Sequence, residues 1–322
     1  MKRFSLFSLT AFLLAFAGTS SAEMGREVRQ AQKLLADGKY AEAFEEYQRV
    51  AEEKDNALAK HALAMFYDFG WGRTPDPVKA CEWHEQAAQG DIPAAAEALA
   101  RCYAEGIGRK VDYAQAAAWY QKAADLGIHS SLCSLGALYI SGQGVAKDPA
   151  KGLALCQQSA EQGSVPAMLR LARFHLEAET PDYAAALHWI SSAASYQSVE
   201  AEYQLGVMLR DGLGIQRNPL EARTWFELAA SKGYVPAYFE TAALYINAPI
   251  NPETGLWHED DLAKAYLWLS ITLKRSQDPE HRELAEEMMA KVLEFMPKTW
   301  NAELDAKVNA HLQQFAADNS AK

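Results

Sequence analysis

The chain has 322 residues, 49% of them apolar and 23% charged, which is enough to bury the core of one large or two ordinary domains and excludes a disordered polyelectrolyte. Its formal charge is −11 and no cluster of Lys and Arg stands out, which argues against nucleic acid and against an anionic membrane surface as partners. The excess of Asp and Glu otherwise reads as a solvated face that keeps the protein soluble.

The chain opens with Lys2 and Arg3, an apolar run from Phe4 to Ala17, and then the small residues Ser20, Ser21 and Ala22. This order predicts a secretory signal peptide over residues 1–22, cleaved after Ala22. The run is short for a bilayer, which asks for about 20 apolar residues, and no comparable stretch follows it. A soluble mature chain with a charge near −13 is expected, in the periplasm or alternatively secreted. No cysteine stands at the cleavage site to carry a lipid.

Residues 23–56 follow, in which Glu27 to Asp55 reads as a helix pair turning at Asp37-Gly38. From there an internal period organises the sequence. A leucine or threonine followed by a small residue recurs at Leu63-Ala64, Leu99-Ala100, Leu135-Gly136, Leu171-Ala172, Leu205-Gly206 and Thr241-Ala242, in steps of 36, 36, 36, 34 and 36 residues. Three residues beyond each small position stands Tyr67, Tyr103, Tyr139, His175, Leu209 or Tyr245. The spacing places a large residue and a ring on one helical face with a gap between them, where another backbone can approach.

A second helix follows in each unit, marked by Ala80, Ala116, Gly152, Ala186, Ala222 and Ala265, with Trp83, Trp119, Leu155, Trp189, Trp225 or Trp268 three residues later. Between the helices lie Gly70-Trp71-Gly72, Gly106-Ile107-Gly108, Gly142-Gln143-Gly144 and Gly212-Leu213-Gly214. These predict left-handed helix ends, and Asp76-Pro77, Asp148-Pro149 and Asn218-Pro219 predict N-caps with proline at the first helical position. A phosphate-cradling loop is the competing interpretation of such glycines, but they recur between helices and never after a strand. The fourth unit lacks the glycine pair and is two residues shorter there, yet keeps Pro181-Asp182.

The sixth unit carries an insertion, Ile246 to Asp261, before a helix expected to begin at Leu262. Two more helices are predicted at about Pro279 to Phe295 and Lys298 to Phe315, and a disordered tail at 318–322.

Units such as Ser134 to Gly163, SLGALYISGQGVAKDPAKGLALCQQSAEQG, and Gln204 to Gly233, QLGVMLRDGLGIQRNPLEARTWFELAASKG, resemble the Sel1-like repeat, a relative of the tetratricopeptide repeat. The resemblance implies an all-α, right-handed α-solenoid of stacked antiparallel helix pairs. Its parts would be a tetratricopeptide-like pair over 23–56, a Sel1-like array over 57–273 and capping helices over 274–317. One helix pair cannot bury both its sides, so stacking is required.

Four cysteines lie in this exported context without a CxxC pair. Cys81 and Cys102 are placed nearly symmetrically about the turn at Gly90-Asp91, and Cys133 and Cys156 about Gly144-Val145. Antiparallel neighbours bring such positions abreast, so disulfides Cys81–Cys102 and Cys133–Cys156 are expected, against the alternative of four buried thiols. The eight histidines are scattered without a metal motif, and no metal or cofactor is expected. Within Trp257-His258-Glu259-Asp260-Asp261 the expectation is that Asp260 or Asp261 caps the following helix.

No serine-nucleophile motif is present. What remains is surface, and the wall built by the first helices is the usual place for an extended partner. Positions two before, two after and five after each leucine are expected there, giving His61, Met65, Asp68, Glu97, Arg101, Arg173, Tyr203, Arg210 and Phe239. Mixed charge with aromatics and Met suits a protein or peptide segment. The leading expectation is a noncatalytic exported adaptor, as the resemblance implies for secretion, envelope assembly or signalling complexes. The alternative is a hydrolase of cell wall or polysaccharide using carboxylates or the 246–261 insertion.

Overall fold

The structure, a computed structural model, describes residues 19–316. Most of the predicted signal segment and the predicted tail therefore lie outside the described residues. The chain divides into two compact units, one up to Ala167 and one from Met168. Every regular element among the described residues is helical.

The first unit contains α1 (Thr19–Glu27), α2 (Arg29–Ala36), α3 (Tyr40–Lys54), α4 (Ala57–Phe69), α5 (Pro77–Gln89), α6 (Pro93–Glu105), α7 (Tyr113–Asp125), α8 (Ser130–Ser141) and α9 (Pro149–Glu161). The boundary between units falls within α10 (Val165–Leu176). The second unit continues with α11 (Tyr183–Ser195), α12 (Val199–Asp211), α13 (Pro219–Ser231), α14 (Val235–Ile246), α15 (Glu259–Arg275), α16 (Pro279–Phe295) and α17 (Asn301–Ala316). In the first unit each helix from α1 to α9 packs on the next; in the second, α11 to α16 do the same and α17 packs on α15.

Each pair is set by the same local chemistry. Gly70, Gly106, Gly142 and Gly212 end the first helices in the left-handed conformation, with φ of 64°, 70°, 75° and 74°. Asp76, Asp112, Asp148, Asp182 and Asn218 then cap the second helices, each side chain accepting from the backbone N–H three residues on. The N–H of the same capping residue donates back across the turn to the carbonyl of the residue in the ring position: Asp76 to Tyr67, Asp112 to Tyr103, Asp148 to Tyr139, Asp182 to His175 and Asn218 to Leu209, all at 2.8–3.0 Å. The fourth unit thus closes the same bond with a shorter turn and no glycine pair. These glycines are punctuation between helices.

Packing follows the small-against-large pattern. Leu63 and Leu99 are fully buried beside Ala64 and Ala100. In the third pair Gly136 and Gly152 face each other so closely that a Cβ on either would stand 2.5 Å from the other's carbonyl oxygen. Successive pairs also dock through the turn: Gly144, at φ 71°, lies against the backbone of Tyr113 at the start of α7, with no room for a side chain.

In the second unit α15, α16 and α17 close on α14, with Tyr238, Trp268, Leu269, Val292 and Val308 inside. The helix predicted from Pro279 to Phe295 has those bounds. The last begins at Asn301 because Lys298–Trp300 forms a 3-10 turn. The insertion departs from expectation: α15 begins at Glu259, with His258 at the N-cap and no side-chain cap bond. Asp260 and Asp261 therefore sit in the first turn, where carboxylates favour the helix dipole, and Asp261 pairs with Arg223 at 3.1 Å.

Candidate functional site

Several of the residues expected on the first-helix face act as rungs between neighbouring first helices. In the first unit, Glu97 of α6 accepts hydrogen bonds from the hydroxyls of Ser130 and Ser131 of α8, at 3.0 and 3.1 Å. In the second, Arg173 of α10 pairs with Glu200 of α12 at 3.6 Å, and Arg210 of α12 pairs with Glu240 of α14 at 2.5 Å. Arg210 also holds Asp211 through two nitrogens, so its charge is shared between two carboxylates. Tyr203 is half-buried between the rings of Phe226 and Tyr234, and burial raises its pKa.

Arg101 of α6 is exposed and holds no ion pair among the described residues, while Met65 of α4 is half-buried. Two of the expected residues lie inside instead. His61 is 7% exposed and Phe239 is 9% exposed. His84 of the second helix covers His61 with ring centroids 5.3 Å apart, and His281 of α16 stacks on Phe239 at 4.5 Å. A position two residues before the leucine is open only where no neighbouring helix sends a ring over it. Asp68 is likewise engaged, its carboxylate accepting from His84 Nε2 at 2.8 Å.

Both expected cysteine pairs stand in disulfide geometry. Cys81 and Cys102 join α5 to α6 across successive repeats with Cα atoms 6.0 Å apart. Cys133 and Cys156 join the two helices of one pair at 4.0 Å, a separation allowed by the Gly136–Gly152 contact beside them. No free cysteine occurs among the described residues.

Sequence reasoning missed what covers the ring position. Arg109 lies over Tyr103 at 4.5 Å, Lys151 over Tyr139 at 4.0 Å, Arg73 over Tyr67 at 4.8 Å and Arg223 over Tyr245 at 4.5 Å. The signal was present as an arginine six residues beyond Tyr67 and Tyr103. Also missed was Glu202, 2% exposed, whose Oε1 meets Lys232 Nζ at 2.5 Å while Oε2 has no partner.

Helix pairs built on one plan, with a common cap, a common turn bond and small-residue contacts, define a tandem helical-repeat protein. Residues 57–91, 93–128, 129–164, 165–195 and 199–234 match the Sel1 repeat, and the chain belongs to the Sel1 repeat family. The sixth pair, α14 and α15, with its insertion, lies beyond the matched residues.

A Sel1 repeat protein from Oxalobacter formigenes is similar at 25% identity over 77% of this chain and 100% of its own, with a TM-score of 0.63. A protective antigen of uropathogenic Escherichia coli, c5321, which displays an SLR fold, is similar at 26% identity with a TM-score of 0.56. That match covers 84% of this chain and 59% of the antigen. No curated protein matches. Sel1 repeat proteins are generally noncatalytic protein-interaction scaffolds. Among the described residues no helix is long and apolar enough to cross a membrane.

Proposed function

We propose that the protein is an exported, noncatalytic adaptor that captures a protein or peptide segment on the face of its first helices. The observation that carries this reading is the set of rungs Glu97 to Ser130 and Ser131, Arg173 to Glu200, and Arg210 to Glu240. They fix neighbouring first helices to one another, so a partner meets a preorganised surface and little ordering cost is left to binding. Exposed Arg101 offers an uncommitted guanidinium there, suited to a carboxylate of the partner. Export is supported by the signal-like residues 1–22 and by two disulfides, which persist in oxidising compartments. No observation favours the hydrolase alternative, and Asp261 of the insertion is held by Arg223.

The test is a crosslinking pull-down from the native envelope with wild type and Arg101→Glu. Loss of a specific partner at unchanged helicity supports the reading, and equal capture by both proteins counts against this face.

A further inference from the structure

The first Sel1 repeat buries two imidazoles against each other. His61 of α4 is 7% exposed and His84 of α5 is 2% exposed, with ring centroids 5.3 Å apart and planes inclined at 47°. The Nδ1 atom of each ring is shut off from solvent and has no hydrogen-bond partner. Leaving one such buried nitrogen unpaired is costly, and two on adjacent rings call for a common explanation.

The tautomer of one ring follows from its neighbour. His84 Nε2 lies 2.8 Å from an Asp68 oxygen, and an ionised carboxylate only accepts, so Nε2 carries the proton and Nδ1 of the neutral ring bears the lone pair. A carboxylate on the far nitrogen is the arrangement that orients a metal-ligating imidazole and raises its basicity. On α4, Met65 follows His61 by four residues and precedes Asp68 by three, so all three share one helical stripe. His84 spans that stripe, touching His61 at one end and Asp68 at the other.

We propose that His61 and His84 form a binding site for a soft monovalent cation, Cu(I), held between their two Nδ1 atoms, with Met65, one turn along α4 from His61, as the candidate third donor. Soft thioether and imidazole donors suit Cu(I), whereas structural Zn2+ asks for four nitrogen or sulfur ligands. The cysteines, all in disulfides among the described residues, present no thiolate to compete.

The test is an anaerobic titration of the full chain with Cu(I) against bicinchoninate, repeated with redox-inert Ag(I). Wild type is expected to retain one equivalent against the chelator. His84→Phe should lower affinity at least a hundredfold, and Asp68→Asn by about 10–100-fold through loss of the orienting carboxylate. Met65→Leu should have a smaller effect. Because the histidine variants test folding as well as binding, side-chain 15N spectra of wild type with Ag(I) supply the second readout. Shifts confined to two of the eight histidines, His61 and His84, support the site. No retained equivalent, or shifts at other histidines, overturns it.

Discussion

Gly136 and Gly152 cross so closely that neither tolerates a Cβ, since each would place one 2.5 Å from the carbonyl oxygen of the other. Both lie inside helices, where replacing glycine by alanine ordinarily gains roughly 0.5–1 kcal/mol. Here the obstacle is backbone, which cannot rotate aside. Gly136→Ala and Gly152→Ala are each expected to destabilise the first unit by about 1–3 kcal/mol, the range of overpacked cores. Urea denaturation checks this through a lowered midpoint, and a raised midpoint would show that helix propensity prevails.

Stability is also expected to depend on the pH through His61. Its pKa is depressed from 6.5 to about 3 by burial first, and then by neighbouring His84. Between those values the unfolded chain binds a proton that the folded chain refuses, so stability is full above about pH 6.5 and falls as the pH drops towards 3. The slope for one proton is about 1.4 kcal/mol per pH unit. In metal-free protein, His61→Phe should flatten the stability profile between pH 6 and 4 by about that amount. Parallel profiles for variant and wild type would contradict the assignment.

Reduction should act on one unit alone. Both disulfides lie before Ala167, and the chain has no other cysteine. Each closes a loop of about twenty residues, for which the chain-entropy model gives roughly 3 kcal/mol. Replacing both cysteines of either pair by alanine is expected to lower protection from hydrogen exchange in the first unit and leave α12 to α17 unchanged. Equal loss in both units would show that their stabilities are not separable.

Glu202 and Lys232 are expected to be coupled in stability. Glu202 is buried and Lys232 is partly exposed, with side-chain exposures of 2% and 31%. Lys232→Met leaves a buried carboxylate without its cation and should destabilise the second unit by about 1–3 kcal/mol, discounted for the lysine's exposure. Adding Glu202→Leu should recover most of that loss. Melting of the single and double variants measures the coupling, and additive losses would refute it.

Much of the fold was legible because a repeat writes each structural demand several times. One Asp-Pro is a weak signal, but Asp76, Asp148 and Asn218 at matching positions fix where second helices start, and Asp182 keeps the place where the glycines are missing. The cysteine pairs were legible for a related reason, since symmetry about a turn between antiparallel helices brings side chains abreast. The candidate site was less legible. Whether His61 or Phe239 faces outward is decided by His84, twenty-three residues away, and by His281 of a helix outside the repeat pattern. The start of α15 was misplaced because acidic residues serve equally well as a cap or within a first turn.

The central claim is that a partner docks on the first-helix face. The most direct measurement is crosslinking mass spectrometry on the full chain captured from the native envelope, mapping where partner peptides attach. Crosslinks are predicted to concentrate on α4, α6 and α8 around Met65 and Arg101, and to disappear in Arg101→Glu at unchanged helicity. Crosslinks concentrated on the second helices α5, α7, α11 and α13, unaffected by that substitution, would contradict it.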